Sequence, residues 1–543
     1  MRMEKLKLFI RKFRINLLWS LLLTFLLVLL NWYVTGYTLF SSLLSDDFYT
    51  VLPLVLIGTL IIQPFWQKIY FGYFLFLFLI EMLHWRYFGS PIIPGEIYKF
   101  FTDFTEVTQG IGKEILLRFV LPIFFTIGIG ISMHFIFKKY ATRMAKIPFI
   151  GFAPVVVIIV LAYNFSQATT FTIAFRTEQH LIRSGLELNA AFFGKYLPYK
   201  LSDKAKSAQP AKPLPKEIKD CNSNIILVVG ESATCVRMSV FDYSVNTTPF
   251  LSSLKKENKL FAKKCVPQAT CTDVSLLSFF NLLDSIDQYE TVLAGKQLLF
   301  KLAKDHGYKT YFITTQSAKG ATHYLGQMNK NFIDVVKTSK DIDPSKGDND
   351  NCYDEVLLKE LEGIDLESGK NFVVLQMYGS HENYSERYPS AFSRFDKSKY
   401  PFPQNADYDN TLLYTDHVLN GMIQHLQNKS KAPAYFFYMS DHGECQGEEG
   451  EDVFGHLMFR KNVASTPLLM MPIRTQNDSA MKRIMNYPYL FSNYFLSLEI
   501  ARLLGYDFRY KARGNYLMNG VDLCGMDGYA WVIVNDSCVL DIR

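Results

Sequence analysis

The stretch "AYFFYMSDHGE" occupies residues 434–444, and how it is read decides the fold of the C-terminal half. A strand with one face in water alternates apolar and polar residues, whereas a continuous aromatic and apolar run is buried on both faces. This run ends abruptly at Asp441, His442, Gly443 and Glu444. Three more runs of the same kind occur: "NIILVVGES" at 224–232, "YKTYFITTQS" at 308–317 and "NFVVLQMYGSH" at 371–381. Helix-like segments lie between them, among them "QLLFKLAKDHG" (297–307) and "YDEVLLKELEGI" (353–364). Apolar strands alternating with helices predict an α/β domain over 221–543, with a largely parallel central sheet covered by helices on both faces. In such sheets ligands gather at the carboxyl ends of the strands.

Three of the runs end in groups able to bind a metal or move a proton: Glu231, His381, and Asp441 with His442. A single such ending is ordinarily a cap or a salt bridge, but three at one sheet edge predict a site. Neighbours on a straight strand point to opposite faces, so Asp441 and His442 share a metal only if the backbone turns, which Gly443 permits. Carboxylate and imidazole ligands without cysteine suit zinc, with manganese as a substitute. Upstream, "CVPQATCTDVSLLSFFNLL" (265–283) is a polar turn leading into an apolar helical run. A hydroxyl there serves as an N-cap, and the same position also orients an activated alkoxide and a substrate phosphate. The spacing leaves Thr270, Cys271, Thr272 and Ser275 open as nucleophiles.

The other half has a different character. Of the 543 residues 49% are hydrophobic and the net charge is +6, but the apolar residues concentrate in the first 165. Five segments, roughly 15–37, 48–66, 69–88, 115–137 and 148–165, are long and apolar enough to span a bilayer, which takes about 20 residues each, and predict an N-terminal transmembrane domain of five helices. The first is too long for a signal peptide and lacks a small-residue cleavage site. Lys and Arg crowd "MRMEKLKLFIRKFR", Lys68 lies between spans two and three, and "KKYATRMAK" precedes span five, whereas "SSLLSDD" carries no basic residue. This asymmetry puts the N-terminus in the cytoplasm and everything after residue 165 on the far side of the membrane. All eight cysteines (221, 235, 265, 271, 352, 445, 524 and 538) fall in that outer half, where disulfides persist and several are expected; buried thiols are the alternative. "SDKAKSAQPAKPLPKEIKD" (202–220) reads as a linker, and the preceding 166–201 as an interfacial helix or an amphipathic connector. The loop 89–114, expected on the outer side, carries Glu96, Asp103 and Glu106, placed to meet a cationic head group or simply solvated.

Taken in order after the apolar segments, "VVGESATCVRMSVFDYSVNTTPFL", "ATCTDVSLLSF", "LQMYGSHENYSERYP" and "SDHGE" resemble the phosphoethanolamine transferases of the alkaline phosphatase and sulfatase superfamily. The resemblance implies a zinc site with Glu231, Asp441 and His442 as ligands and Thr272 as both ligand and nucleophile. It implies that His381 binds the transferred phosphate or a second metal, a role His456 of "EDVFGHLMF" would share. It further implies a multi-pass protein of the bacterial inner membrane with a periplasmic catalytic domain. Phosphatidylethanolamine is the implied donor, and lipopolysaccharide lipid A, core sugar or a periplasmic glycan the acceptor. Nucleic acid has no place in this scheme. The rival readings are a tethered phosphodiesterase or sulfatase and a glycerol-phosphate transferase of the same fold; no C-x-P-S-R pattern supports the sulfatase.

Overall fold

A computed structural model describes residues 2–35, 46–88 and 113–147, isolated positions between 185 and 201, and 222–542 except for 285–290, 293–294, 326–327, 329, 348–349, 448–453, 457–459, 476, 509–514, 520–529 and 535–536. Contacts divide the chain into two compact units, Met1–Ser207 and Ala208–Arg543.

In the first unit the described helices are α1 (Arg2–Thr35), α2 (Asp46–Leu60), α3 (Pro64–Phe88) and α4 (Lys113–Tyr140). Three stretches, Met3–Val34, Pro64–Leu83 and Val120–Tyr140, are long and apolar enough to cross a membrane. The expected second span is shorter, with an apolar helical stretch of Val51–Leu60 only. Its helix stops before Pro64, which lacks an N–H and opens the next helix at N1, where none is needed. The fifth expected span (148–165), the 89–114 loop with Glu96, Asp103 and Glu106, and the 202–220 linker lie outside the described residues.

The carbonyls freed at the end of α2 are taken up by side chains. Gln67 Nε2 donates to the Gly58 carbonyl (2.9 Å), and fully buried Asn16 Nδ2 donates to the Thr59 carbonyl (3.1 Å) and the Ala145 carbonyl (3.2 Å). Asn16 Oδ1 accepts the Ala145 N–H at 2.8 Å, so one amide ties three chain segments together with its donors and acceptor satisfied. An apolar core of Leu23, Leu27, Val51, Val55, Phe71, Phe74 and Phe78 lies beside this junction.

The second unit is built on an eight-stranded sheet of order β10-β2-β9-β6-β1-β5-β3-β4. Its strands are β1 (Asn224–Gly230), β2 (Phe261–Val266), β3 (Lys309–Thr314), β4 (Val335–Lys337), β5 (Asn371–Gln376), β6 (Ala434–Ser440), β9 (Thr466–Ile473) and β10 (Phe491–Ser492). A two-residue pair, β7 (Cys445–Gln446) and β8 (Phe454–Gly455), and an antiparallel trio, β11 (Asn515–Asn519), β12 (Ala530–Val534) and β13 (Ser537–Ile542), lie outside it. Every strand pairing in the large sheet is parallel except those of β9 with β2 and β6.

The four runs read as strands form β1, β3, β5 and β6, and their period-two geometry sends alternate residues to two helical layers. Ile226, Val228, Val373, Leu375, Phe436 and Tyr438 pack with Leu251 and Leu254 of the helix Pro249–Lys256, Leu357 and Leu361 of Val356–Glu362, and Leu412, Leu419 and Met422 of Gln404–Lys429. On the other face Phe372 and Phe312 meet Phe300 of Leu299–Asp305 (ring centroids 5.2 and 6.2 Å), and Phe312 also meets Phe280 of Thr272–Phe280 at 6.3 Å. The register sets Gly230 beside Ser440 and Val229 beside Gln376, which leaves the ends of β6, β1 and β5 level.

Candidate active site

The residues that follow these level strand ends are held by backbone bonds between loops. Asp441 N donates to the Gly230 carbonyl (3.1 Å), and Ser380 N to the Glu231 carbonyl (2.9 Å). One carboxylate oxygen each from Glu231 and Asp441 and one ring nitrogen of His442 lie within 4.8 Å of one another, all buried. His442 Nε2 is 3.2 Å from Glu231 Oε1 and 3.5 Å from Asp441 Oδ2. Its Nδ1 stands 3.0 Å from the Gly443 carbonyl, an acceptor only, so Nδ1 carries the proton and Nε2 faces the carboxylates.

Two glycines and one strained residue shape this corner. A Cβ on Gly443 would lie 2.1 Å from the Asn462 carbonyl oxygen and 3.0 Å from that of Val463. Gly443 does not have a positive φ, so glycine serves close approach of backbone here and not the turn expected from the sequence. The left-handed conformation falls instead on Ser232 (φ 57°) and on Gly379 (φ 54°), whose Cβ would lie 2.9 Å from Glu231 backbone atoms. Strain at Ser232 is offset by its bonds: its N–H donates to Asp441 Oδ1 (3.2 Å), its hydroxyl to Glu231 Oε1 (3.1 Å), and its carbonyl accepts the Tyr408 hydroxyl (2.7 Å). Gly443→Ala should therefore cost about 3 kcal/mol, by overpacking against rigid backbone. Denaturant unfolding of the detergent-solubilised protein measures this, and an unchanged midpoint would contradict it.

Thr272 is the first residue of the helix Thr272–Phe280, after Cys271 in extended conformation. Its hydroxyl lies 3.1 and 3.0 Å from the two Glu231 carboxylate oxygens and 3.3 Å from His442 Nε2. Its three rivals stand differently. Thr270 is fully buried, Cys271 is 7% exposed, and the Ser275 hydroxyl donates to the Asp441 carbonyl at 2.6 Å. Of these four candidates only Thr272 sets its side chain against both Glu231 and His442. His456 stacks 4.3 Å from His442 and 6.2 Å from His381 by ring centroids, and its Nδ1 lies 3.4 Å from Glu444 Oε2. His381 Nδ1 is buried and has no hydrogen-bond partner among the described residues.

Side chains not singled out from the sequence complete the arrangement. Gln316, just past β3, donates from Nε2 to Glu231 Oε2 at 3.0 Å, and its Oε1 accepts the Tyr324 hydroxyl at 3.3 Å. The available signal was its place at the end of a fourth parallel strand. Asp354 accepts the Thr315 hydroxyl (2.5 Å) and the N–H groups of Tyr378 (2.8 Å) and Gly379 (3.0 Å), fixing the turn that carries His381. No motif marks Asp354, because most of its partners are backbone.

The electrostatics follow from burial without a Lys or Arg partner. Burial and the adjacent Glu231 charge push the Asp441 carboxyl up to about 7. Burial raises Glu231 as well, but its hydrogen bond to His442 and the charge of that ring outweigh this and hold it below the usual carboxylate range. Burial lowers the His442 ring, yet Asp441 and Glu231 together raise it to about 10. Asp441 Oδ2 is buried with His442 Nε2 3.5 Å away, and two carboxylates share one imidazole. Such a donor set, oxygen and nitrogen without sulfur, fits zinc or manganese. Cys235, Cys265, Cys271, Cys352 and Cys445 are all buried, and among the described residues no disulfide joins any two of them. The side chains of Cys221, Cys524 and Cys538 lie outside the described residues.

A sequence profile described as Sulfatase matches residues 223–481. Phosphoethanolamine transferase EptA of Helicobacter pylori is 32% identical over 263 residues, covering 45% of this chain and 46% of that protein. Kdo(2)-lipid A phosphoethanolamine 7''-transferase of Escherichia coli is 25% identical over 261 residues, 46% of this chain and 44% of that protein. The chain thus matches somewhat under half the length of these relatives. Among solved structures, the integral membrane protein lipooligosaccharide phosphoethanolamine transferase A (EptA) of Neisseria meningitidis is 18% identical with a TM-score of 0.45, covering 88% of this chain and 95% of that one. The C-terminal periplasmic domain of EcEptC from Escherichia coli, in complex with Zn, is 22% identical with a TM-score of 0.46, covering 55% and 87%. Residues 223–481, which carry Glu231, Thr272, His381, Asp441, His442 and His456, match the Sulfatase family profile, and the chain's curated relatives include phosphoethanolamine transferases.

Proposed function

We propose that this protein transfers phosphoethanolamine from phosphatidylethanolamine to a saccharide acceptor of the bacterial envelope, through a covalent phosphoethanolamine ester on Thr272. The observation that carries the proposal is the Thr272 hydroxyl at a helix N-terminus, within hydrogen-bond reach of Glu231 and His442. The curated relatives named phosphoethanolamine transferases support the choice of group.

Glu231, Asp441 and His442 are the residues that would hold a zinc ion. Bound there, it would supply a lowered hydroxyl pKa at Thr272 and polarisation of the phosphodiester. In the first step Thr272 Oγ attacks phosphorus, the bond from phosphorus to the glycerol oxygen breaks, and diacylglycerol leaves with a proton. In the second an acceptor hydroxyl or phosphate oxygen attacks the same phosphorus, the bond to Oγ breaks, and Thr272 regains its proton. Glu231 orients the Thr272 hydroxyl by accepting its hydrogen bond; Gln316, itself held by Tyr324, fixes Glu231. The first turn of the helix Thr272–Phe280 directs backbone N–H groups towards the transferred phosphate. His381 and His456, both partly exposed, would meet a phosphate oxygen or a second cation.

Domain limits of 1–165, 166–220 and 221–543, a cytoplasmic N-terminus and a periplasmic catalytic domain belong to the same proposal. A reporter active only outside the cytoplasm should work when fused after residue 220 and fail when fused at Lys139; the reverse would overturn the compartment and the donor with it. Loading of the metal should also release protons in a pH-dependent way. Asp441 and His442 are both raised above their ordinary values, so metal binding has to displace protons from the pair and affinity should weaken as the pH falls. Calorimetry in buffers of different ionisation enthalpy should find proton release on loading and weaker affinity at the lower pH. Affinity independent of pH would contradict the assignment of Asp441 and His442. The function itself is tested by mass spectrometry of envelope glycolipids and glycans from cells with and without the protein. Phosphoethanolamine should be missing from one saccharide class in its absence, and identical profiles would refute the proposal.

A further inference from the structure

In the first unit the start of α1 and the end of α4 meet at two independent contacts. Asn16 exchanges both of its polar groups with the Ala145 backbone (3.2 and 2.8 Å), and on the next turn of α1 Trp19 packs against Tyr140 of α4, ring centroids 5.3 Å apart. Lys5 and Lys12 precede Asn16 by eleven and four residues, which sets both on the helical face that carries Asn16 and Trp19. From the other side come Lys139, Arg143 and Lys146. The backbone under the last two is fixed: Arg143 N and Met144 N both donate to the Tyr140 carbonyl (2.9 and 3.1 Å), and Ile147 N donates to the Leu60 carbonyl (3.0 Å). Met144 and Ala145 are buried, whereas Lys139 and Arg143 are exposed and Lys12 and Lys146 half-buried. Lys146 Nζ spends one donor on the Thr59 carbonyl (3.0 Å). The junction therefore presents cations on a preorganised frame.

Counter-charge is scarce in these segments. Glu4 is the only acidic residue in 1–35, and none occurs in 115–147. The cations also continue an apolar track. Ile131, Phe135 and Lys139 follow one another at intervals of four along α4, so they share one face, and both apolar side chains are exposed. In a helix that crosses a bilayer such a face meets lipid tails, and the half-buried Trp19 and Tyr140 beside its charged end are the side chains enriched at head-group level.

We infer that this junction binds an anionic phospholipid, its phosphate on Lys12, Lys139 and Arg143 and an acyl chain along Phe135 and Ile131. The inference goes beyond the reaction proposed for the second unit and does not depend on it; it needs only that α1 and α4 cross the bilayer, as their length and composition allow. A net negative head group suits a cluster of cations with almost no acidic neighbour, and each Lys or Arg near the surface adds to the attraction. Phosphatidylethanolamine would bring an ammonium group with no carboxylate from 115–147 to meet it. Free phosphate would use the cations but leave the apolar track of α4 uncovered. Arg143 also offers a planar fork of donors to phosphate oxygens, which makes the site more selective than a diffuse basic surface.

The test titrates the full-length protein in a neutral detergent with phosphatidylglycerol and with phosphatidylethanolamine of the same acyl chains, counting bound lipid by native mass spectrometry. Phosphatidylglycerol should bind about tenfold or more tightly than phosphatidylethanolamine, and inorganic phosphate at equal concentration should not displace it. Lys12→Gln/Arg143→Gln should weaken phosphatidylglycerol about tenfold or more and leave phosphatidylethanolamine unchanged, with the same unfolding temperature. Arg11→Gln/Arg14→Gln removes the same charge from the other side of α1 and should keep the affinity within about threefold. If the first pair lowers the unfolding temperature, Lys12→Arg/Arg143→Lys, which keeps both charges, should bind within about threefold of the wild type. Equal affinity for the two lipids, displacement by inorganic phosphate, or equal weakening by the two Gln pairs would overturn the inference, the last by reducing the site to diffuse charge.

Discussion

Thr272→Ala is expected to lower phosphoethanolamine transfer by about 10³-fold or more, while the protein stays folded and keeps its metal. The hydroxyl is lost from the only one of the four candidate positions whose side chain meets both Glu231 and His442. Little packing goes with it, because Thr272 is partly exposed at the start of its helix and Cys271, not Thr272, occupies the N-cap. Thr270→Ala should keep a substantial part of the activity, since that side chain is fully buried. Transfer assays on purified variants check this, and turnover by Thr272→Ala near the wild-type rate would assign the chemistry to another group or to direct hydrolysis.

Removal of a ligand should weaken both metal binding and stability. Glu231→Gln is expected to weaken zinc affinity by more than the roughly 10–100-fold that follows loss of an outer partner, because a charged ligand disappears from a three-residue set. The metal-free variant should also be less stable than the metal-free wild type at neutral pH, because the ionised Glu231, held below the usual carboxylate range by His442, accepts donors on both oxygens and an amide turns an N–H against one of them. His442→Ala should lose the metal too, with a stability penalty of its own, because it leaves both carboxylates without their cation. Elemental analysis with thermal unfolding, with and without chelator, checks both variants. Full metal content in Glu231→Gln would refute the ligand assignment.

What was legible in the sequence was legible for physical reasons. The four runs that became β1, β3, β5 and β6 are buried on both faces and so carry no alternation. Their ends place Glu231, His381, Asp441 and His442 because a parallel sheet aligns its carboxyl edges. Gln316 and Asp354 were not legible: one is an amide two residues beyond its strand, and the other binds mostly backbone N–H groups, which no side-chain pattern records. The need for Gly443 arises from the Asn462 carbonyl, a contact across 19 positions that local turn chemistry does not reveal. In the membrane unit, apolar composition alone did not reveal the short second helix. Its end depends on Pro64 and on amides from Asn16 and Gln67.

The central claim is that Thr272 carries the group between donor and acceptor. The most direct measurement is intact-mass and peptide analysis of the protein after incubation with phosphatidylethanolamine and no acceptor. The expected result is one phosphoethanolamine per chain, on Thr272, discharged when a saccharide acceptor is added. An adduct on Cys271 or Ser275, or diacylglycerol release with no adduct on any residue, would contradict it.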